Sequence, residues 1–332
     1  MKPILLILAL AAFSAHGAGS GWKIASGVHA DSLLPVSIGR SIQGLDHATA
    51  AELLGIESNY WRSGDHLKTM ARLLELLGPQ VELSTRKVRF RLFVDLAGVT
   101  ARLRLYPLAM RCFYNALKGD MELPRDSGIY RQLPVAESVP VDPDSIVAAF
   151  GDGKEAAFYA LLLEVKQPVP GKRKAFKFLN NVGHTFITLI KYNQDGSIVS
   201  RSFGFYPRKA GVFSATPFDP SAPSVFKDDS HHEWDEAAGR ILTFQQFRTV
   251  LKVLKSYDRR RYHLNYRNCT DFGLDVARSG GIGVWDAAGN WPLGHGNNPG
   301  SAGQSLLEGK LADISPAPAD GLLVIDNRTG HR

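Results

Sequence analysis

Apolar positions change their period part-way along this chain. After Asp65, residues Leu67, Met70, Leu73, Leu74 and Leu77 recur at helical spacing until Gly78-Pro79 stops them, so residues 26 to about 80 read as helical. Val88, Phe90, Leu92 and Val94 then alternate with Lys87, Arg89 and Arg91, the pattern of a half-buried strand. Ala97 to Gly119 returns to helical spacing, broken before Pro107, and carries Cys112. The Pro- and Asp-rich stretch Leu123 to Asp144 reads as a linker.

Beyond it the pattern belongs to strands. Phe158 to Val165 is an apolar strand, and Lys166 to Lys174 is a polar loop. His184 to Tyr192 (HTFITLIKY) is rich in β-branched and aromatic residues, Asn193-Gln194-Asp195-Gly196 is a turn, and Ile198 to Tyr206 returns as the partner strand. Residues 209–233 read as loop. Thr243 with Gln246 makes a capping box for a helix with the face Phe244, Phe247, Leu251 and Leu254. Tyr262 to Tyr266 is extended, and Asn268 caps a helix that ends at Gly280-Gly281. From Trp285 onward glycine, proline and asparagine predict irregular structure. The expected organisation is a mostly helical region over 18–145, an α+β domain with an antiparallel sheet over 146–310, and a C-terminal tail over 311–332.

Composition adds the setting. A hydrophobic fraction of 44% and a charged fraction of 21% over 332 residues are those of a globular chain. Met1-Lys2, the apolar run Pro3 to Phe13 and the small residues Ser14 to Ala18 have the form of a secretory signal peptide over 1–17. The run is too short for a bilayer core that needs about 20 helical residues. The expected location is therefore periplasmic or secreted. The net charge of +7 is concentrated at Arg86-Lys87, Lys172-Arg173-Lys174 and Arg259-Arg260-Arg261. In the cell envelope it suits anionic partners, including peripheral contact with an anionic membrane surface. No nucleic-acid recognition motif accompanies it.

The candidate chemistry sits in Asn268-Cys269-Thr270-Asp271-Phe272. A cysteine at the start of a helix faces unpaired N–H groups and a partial positive charge, which stabilise a thiolate and can donate to an oxyanion. His184, opening a strand after Gly183, is the matching imidazole, and Gly183 leaves room for a substrate or for the cysteine helix. A thiol on a helix start facing a histidine on a strand forms a nucleophile–base pair. His184, His231, His232, His263 and His295 also raise the question of a metal, but none has helical ligand spacing, and neither metal nor cofactor is implied. The alternative to catalysis is a non-catalytic envelope binding protein in which Cys112 and Cys269 form a disulfide.

Gly183-His184-Thr185-Phe186-Ile187, Gly204-Phe205-Tyr206-Pro207 and Tyr262-x-Leu-x-x-x-Asn268-Cys269-Thr270 together resemble the circularly permuted NlpC-type branch of the papain-like fold. In that branch, as in lecithin:retinol acyltransferase, the histidine strand precedes the cysteine helix. The arrangement is also similar to Lnb, the periplasmic domain linked to bacterial lipoprotein N-acylation. The resemblance spans roughly residues 155 to 310 and says nothing of 26–150. It implies a permuted papain-like domain with Cys269 as nucleophile and His184 as general base and later acid. The implied substrates are envelope amides or esters: a peptidoglycan peptide, a phospholipid or a lipoprotein. The third, orienting residue is expected on the strand after the histidine, which offers Ser200, Ser202 and Tyr206. A tight Asp195-Gly196 turn pairs His184 with Pro207, whereas a three-residue Gln194 to Gly196 loop sets Tyr206 across from His184. Tyr206 and Asn268 are the expected orienting or oxyanion-supporting residues.

Overall fold

The structure, a computed structural model, describes residues 23–25, 90, 93–94, 96–98, 100–101, 104–119, 139–177, 181–208, 215–315 and 321–326. The signal-peptide segment 1–17, the helical reading of 26–80 and most of the linker lie outside them. The chain divides into two compact units, one holding residues 90–119 and the other β1 (Lys23–Ala25) together with residues 139–326.

In the first unit the described residues between 90 and 101 are helical, where alternation had predicted a strand over 88–94. Phe93, Val94, Ala97 and Ala101 are all buried, and their spacing is that of one helix face. Four alternating residues are too few to separate the two periods when the apolar positions continue at three and four beyond them. Helix α1 (Tyr106–Lys118) starts with Pro107 in its first turn and ends at Gly119 in the left-handed conformation. Cys112 is fully buried in it.

The second unit is α+β and is built on a large antiparallel sheet. In chain order its next elements are β2 (Pro140–Val141), α2 (Pro143–Ala149), β3 (Ala156–Lys166), β4 (His184–Asn193), β5 (Ile198–Pro207), β6 (Ser221–Ala222), β7 (Ser224–Asp228) and β8 (Glu236–Leu242). Then follow α3 (Phe244–Ser256), β9 (Tyr262–His263), α4 (Cys269–Ser279), β10 (Ile282–Val284), β11 (Ala288–Trp291), β12 (Gly294–Asn297), α5 (Pro299–Leu307), β13 (Leu311–Asp313) and β14 (Leu322–Asp326). The main sheet has the order β1-β14-β8-β3-β4-β5-β7-β2. Segments 209–233 and 285–332, read as irregular, therefore supply β7 and β14 to this sheet and α5 beside it. Every residue of β14 is buried, although it lies in the expected tail. Its apolar run Leu322 to Ile325 is as good a strand pattern as β3, but it is isolated between glycine- and proline-rich segments.

β4 is buried at every position, as its continuous β-branched and aromatic run requires of a central strand. The loop after it holds three residues, because the Asn193 N–H bonds Ser197 O at 2.9 Å and the ladder pairs Tyr192 with Ile198. That register runs to Ile187–Phe203 and continues toward Tyr206 beside His184. One sheet face carries Leu161, Leu163, Ile187, Leu189, Phe203 and Phe205 into a core with Phe247, Val250, Leu254, Phe272 and Val276 of α3 and α4. Phe244, expected on that α3 face, is 58% exposed. Within the core, α4 crosses β4 closely. A Cβ added at Gly273 would lie 2.6 Å from Thr185 Cγ2, so only glycine permits this approach. The approach brings the first turn of α4 to the start of β4.

Candidate active site

Cys269 is the first residue of α4, and Asn268 is its N-cap. The Asn268 carboxamide uses its whole capacity on local geometry. Its Oδ1 accepts from the N–H groups of Thr270 (2.7 Å) and Asp271 (3.1 Å), and its Nδ2 donates to Leu264 O and Asn297 O, both at 2.8 Å. Asp271 closes the capping box by accepting from the Asn268 N–H at 2.9 Å. With both amide protons committed, Asn268 orients the helix start and has none left for an oxyanion. The Cys269 N–H interacts with the Tyr262 hydroxyl, which also hydrogen-bonds the thiol. Tyr262 is buried, and burial first, then the charge on Cys269, holds its phenol well above the usual tyrosine range.

His184 opens β4 after Gly183, whose φ is +71°. A Cβ at Gly183 would lie 2.3 Å from Lys166 O and 2.8 Å from Pro168 Cδ. The space this glycine leaves is thus filled by the end of β3, and not by substrate or the cysteine helix. The His184 ring is buried, with its centroid 4.3 Å from Tyr206, 4.8 Å from His232 and 5.8 Å from Phe186. Its Nε2 bonds Asp229 Oδ2 at 2.9 Å, which leaves Nδ1 as the nitrogen available to Cys269. The Tyr206 hydroxyl donates to the other carboxylate oxygen, Asp229 Oδ1, at 2.5 Å. Asp229 is itself buried, and its N–H is anchored on Ser202 O at 3.0 Å.

The electrostatics follow from this arrangement. Burial by itself would lower the His184 pKa, but the Asp229 carboxylate, backed by Cys269, overrides it and pushes the imidazole up to about 9. Burial would raise the Cys269 thiol. Its hydrogen bond to His184, the imidazolium charge, the Thr185 N–H and the Thr270 hydroxyl together bring it below its ordinary value. His232 is lowered, chiefly by burial and then by the charge on His184. Near neutral pH this favours a thiolate–imidazolium pair backed by a carboxylate.

The sequence-derived residues divide clearly. Cys269, His184, Tyr206 and Asn268 come together. Ser200 and Ser202 do not contact His184: they pair with Ile190 and Thr188 further along β4, and Ser202 Oγ shares a 2.6 Å hydrogen bond with Thr188. Tyr206 does stand beside His184, but it acts on Asp229. That aspartate, absent from the sequence reading, comes from the turn after β7 in Asp228-Asp229-Ser230. Its one legible companion is Gly204. A Cβ there would lie 2.4 Å from His184 Nε2 and 2.3 Å from Asp229 Oδ2, so the bare glycine makes the His–Asp contact possible.

Cys112 and Cys269 are both free thiols, each buried within its own unit. Burial pushes the Cys112 thiol up to about 12, which makes it unreactive near neutral pH. Among the described residues no three His, Cys, Asp or Glu side chains converge as a metal site, and no helix is long and apolar enough to cross a membrane. Arg173, one of the basic cluster, is committed internally to Asp286 O (2.6 Å) and Glu308 (2.7 Å). No family model, curated protein or solved structure matches the chain.

Proposed function

We propose that this chain is an exported cysteine hydrolase or acyltransferase of the permuted papain-like type, acting on an envelope amide or ester. The observation that carries the reading is the continuous line Tyr206–Asp229–His184–Cys269, with the thiol on the first residue of α4. A structural histidine needs one satisfied nitrogen; it does not need a buried carboxylate behind it and a thiol in front.

In the proposed reaction the Cys269 thiolate attacks the carbonyl carbon, forming a C–S bond and an oxyanion. The protonated Tyr262 phenol, beside the thiol, donates to that charge, and the positive end of the α4 dipole favours it. Collapse breaks the C–N or C–O bond, and the leaving group takes the proton from His184. The acceptor then loses its proton to His184 as it attacks the thioester, and the C–S bond breaks. Water as acceptor gives an amidase or peptidase, and an amine or alcohol gives an acyltransferase. Periplasmic or extracellular location and anionic envelope partners belong to the same proposal.

The test is chemical. Cys269 should alkylate rapidly near neutral pH while Cys112 stays silent, His184→Ala should slow the reaction, and a thioester to Cys269 should be trapped from an ester substrate. Slow, His184-independent labelling of Cys269 would remove the basis for the reading.

A further inference from the structure

On the Tyr206 side of the triad a cavity of about 630 Å³ opens, lined by Pro140, Tyr206, Pro207, Arg208, Val225 and Lys227. The ladder explains its position. Tyr206 pairs with Val225, Gly204 with Lys227, and Pro140 of β2 with Lys227 from the other side. Tyr206, Val225 and Lys227 therefore project from one face of the sheet, the face that the β4–β5 register assigns to His184. Lys227 Nζ lies 5.0 Å from the centroid of the Tyr206 ring, the same ring that stands 4.3 Å from His184. Tyr206 is thus a wall shared by the cavity and the triad.

The lining has two kinds of surface. Pro140, Pro207, Val225 and the Tyr206 ring are apolar, while Arg208 and Lys227 are cations that, among the described residues, enter no ion pair. The neighbouring carboxylate, Asp229, is occupied by His184 and Tyr206 and does not compensate them. From this we infer that the cavity is a binding subsite for an anionic amphiphile, a phosphodiester head between Lys227 and Arg208 with the adjoining apolar chain against the prolines, valine and tyrosine ring. A peptide fits the wall less well. β5 and β7 spend their backbone groups on each other, and Pro140 and Pro207 have no N–H to offer an added strand.

The inference deepens the proposed function by naming what the substrate arm carries, and rests on that reading only in that respect. The test uses short-chain dihexanoyl-phosphatidylglycerol below its micelle concentration, with dihexanoyl-phosphatidylcholine and inorganic phosphate as controls. Binding is measured by calorimetry on the full chain carrying Cys269→Ala, so that thiol chemistry does not enter. The anionic lipid should bind at least about tenfold tighter than either control, a difference of about 1.4 kcal/mol. Lys227→Met with Arg208→Met should erase the preference, and added salt should weaken binding to the unsubstituted pocket. Equal affinity for the two lipids, phosphate binding as tightly as lipid, or salt-independent binding would each overturn the subsite. Thiol labelling of the unsubstituted chain reports the Cys–His pair separately, so either claim can fail while the other stands.

Discussion

Asp229→Asn removes one charge from the site while keeping a side chain of the same shape that can still accept from His184. In the native site burial opposes the imidazolium, and Asp229 is the largest influence that favours it, holding His184 at about 9. An ordinary histidine titrates near 6.5, and with the carboxylate charge gone burial pulls the ring to that value or below. The difference of roughly 2.5 pKa units corresponds to up to about 3 kcal/mol of ion-pair stabilisation. Cys269 then loses the imidazolium that most strongly lowers it. Burial then carries the thiol back up toward its protonated form, and the greater nucleophilicity of the less acidic thiolate offsets part of the lost ionisation. The expected net effect is about tenfold slower alkylation by iodoacetamide at pH 7, with the midpoint of the pH–rate curve moved upward. Intact-mass spectrometry between about pH 5 and pH 10 reads this directly, because Cys112 stays protonated over that range. Asp229→Ala, which also strips the acceptors for His184 and Tyr206, should be slower still in acyl transfer. A midpoint unmoved in Asp229→Asn would refute the carboxylate's role in poising the pair.

Three further outcomes follow from the same geometry. Acyl transfer should show a bell-shaped pH profile: activity rises as Cys269 ionises below its ordinary pKa, and falls as pH passes about 9 and His184 loses the proton it must donate; activity that keeps climbing above that point would contradict the assignment. Gly204→Ala places a methyl group against His184 Nε2 and Asp229 Oδ2, so it should cost about 1–3 kcal/mol in urea unfolding and slow Cys269 labelling, although alanine brings no new chemistry. Asn268→Ala removes the cap and leaves Leu264 O and Asn297 O without their donor; a loss of about 1–2 kcal/mol by urea unfolding is expected, together with an upward shift of the Cys269 labelling midpoint.

Much of the site was legible where the signal is local. The Asn268 cap, the helix start at Cys269, the Thr243–Gln246 capping box and the β4–turn–β5 hairpin each depend on residues within a few positions of one another. A hairpin register is set by its own turn; the sequence left a two-residue and a three-residue loop open, and the structure takes the three-residue one, which sets Tyr206 beside His184. Asp229 was not legible, because it reaches His184 from the turn after β7, a strand that docks on β5 from outside the β4–β5 hairpin. β14 was missed for a similar reason: its partner β8 lies far back in the chain, and nothing local announces the pairing.

The sequence by itself determined the α+β character of residues 146–310, the order of histidine strand before cysteine helix, and the identity of the thiol and imidazole. Capping, turn geometry and apolar period are properties of neighbouring residues, and they survive without knowledge of the rest of the chain. Only the tertiary structure decided which carboxylate stands behind His184, that Gly204 must be bare for the His184–Asp229 contact and Gly273 for α4 to approach β4, and that Tyr206 stands beside both His184 and the cavity beyond it. Those contacts join residues far apart in sequence, and their existence depends on sheet order and close packing, which no local pattern encodes.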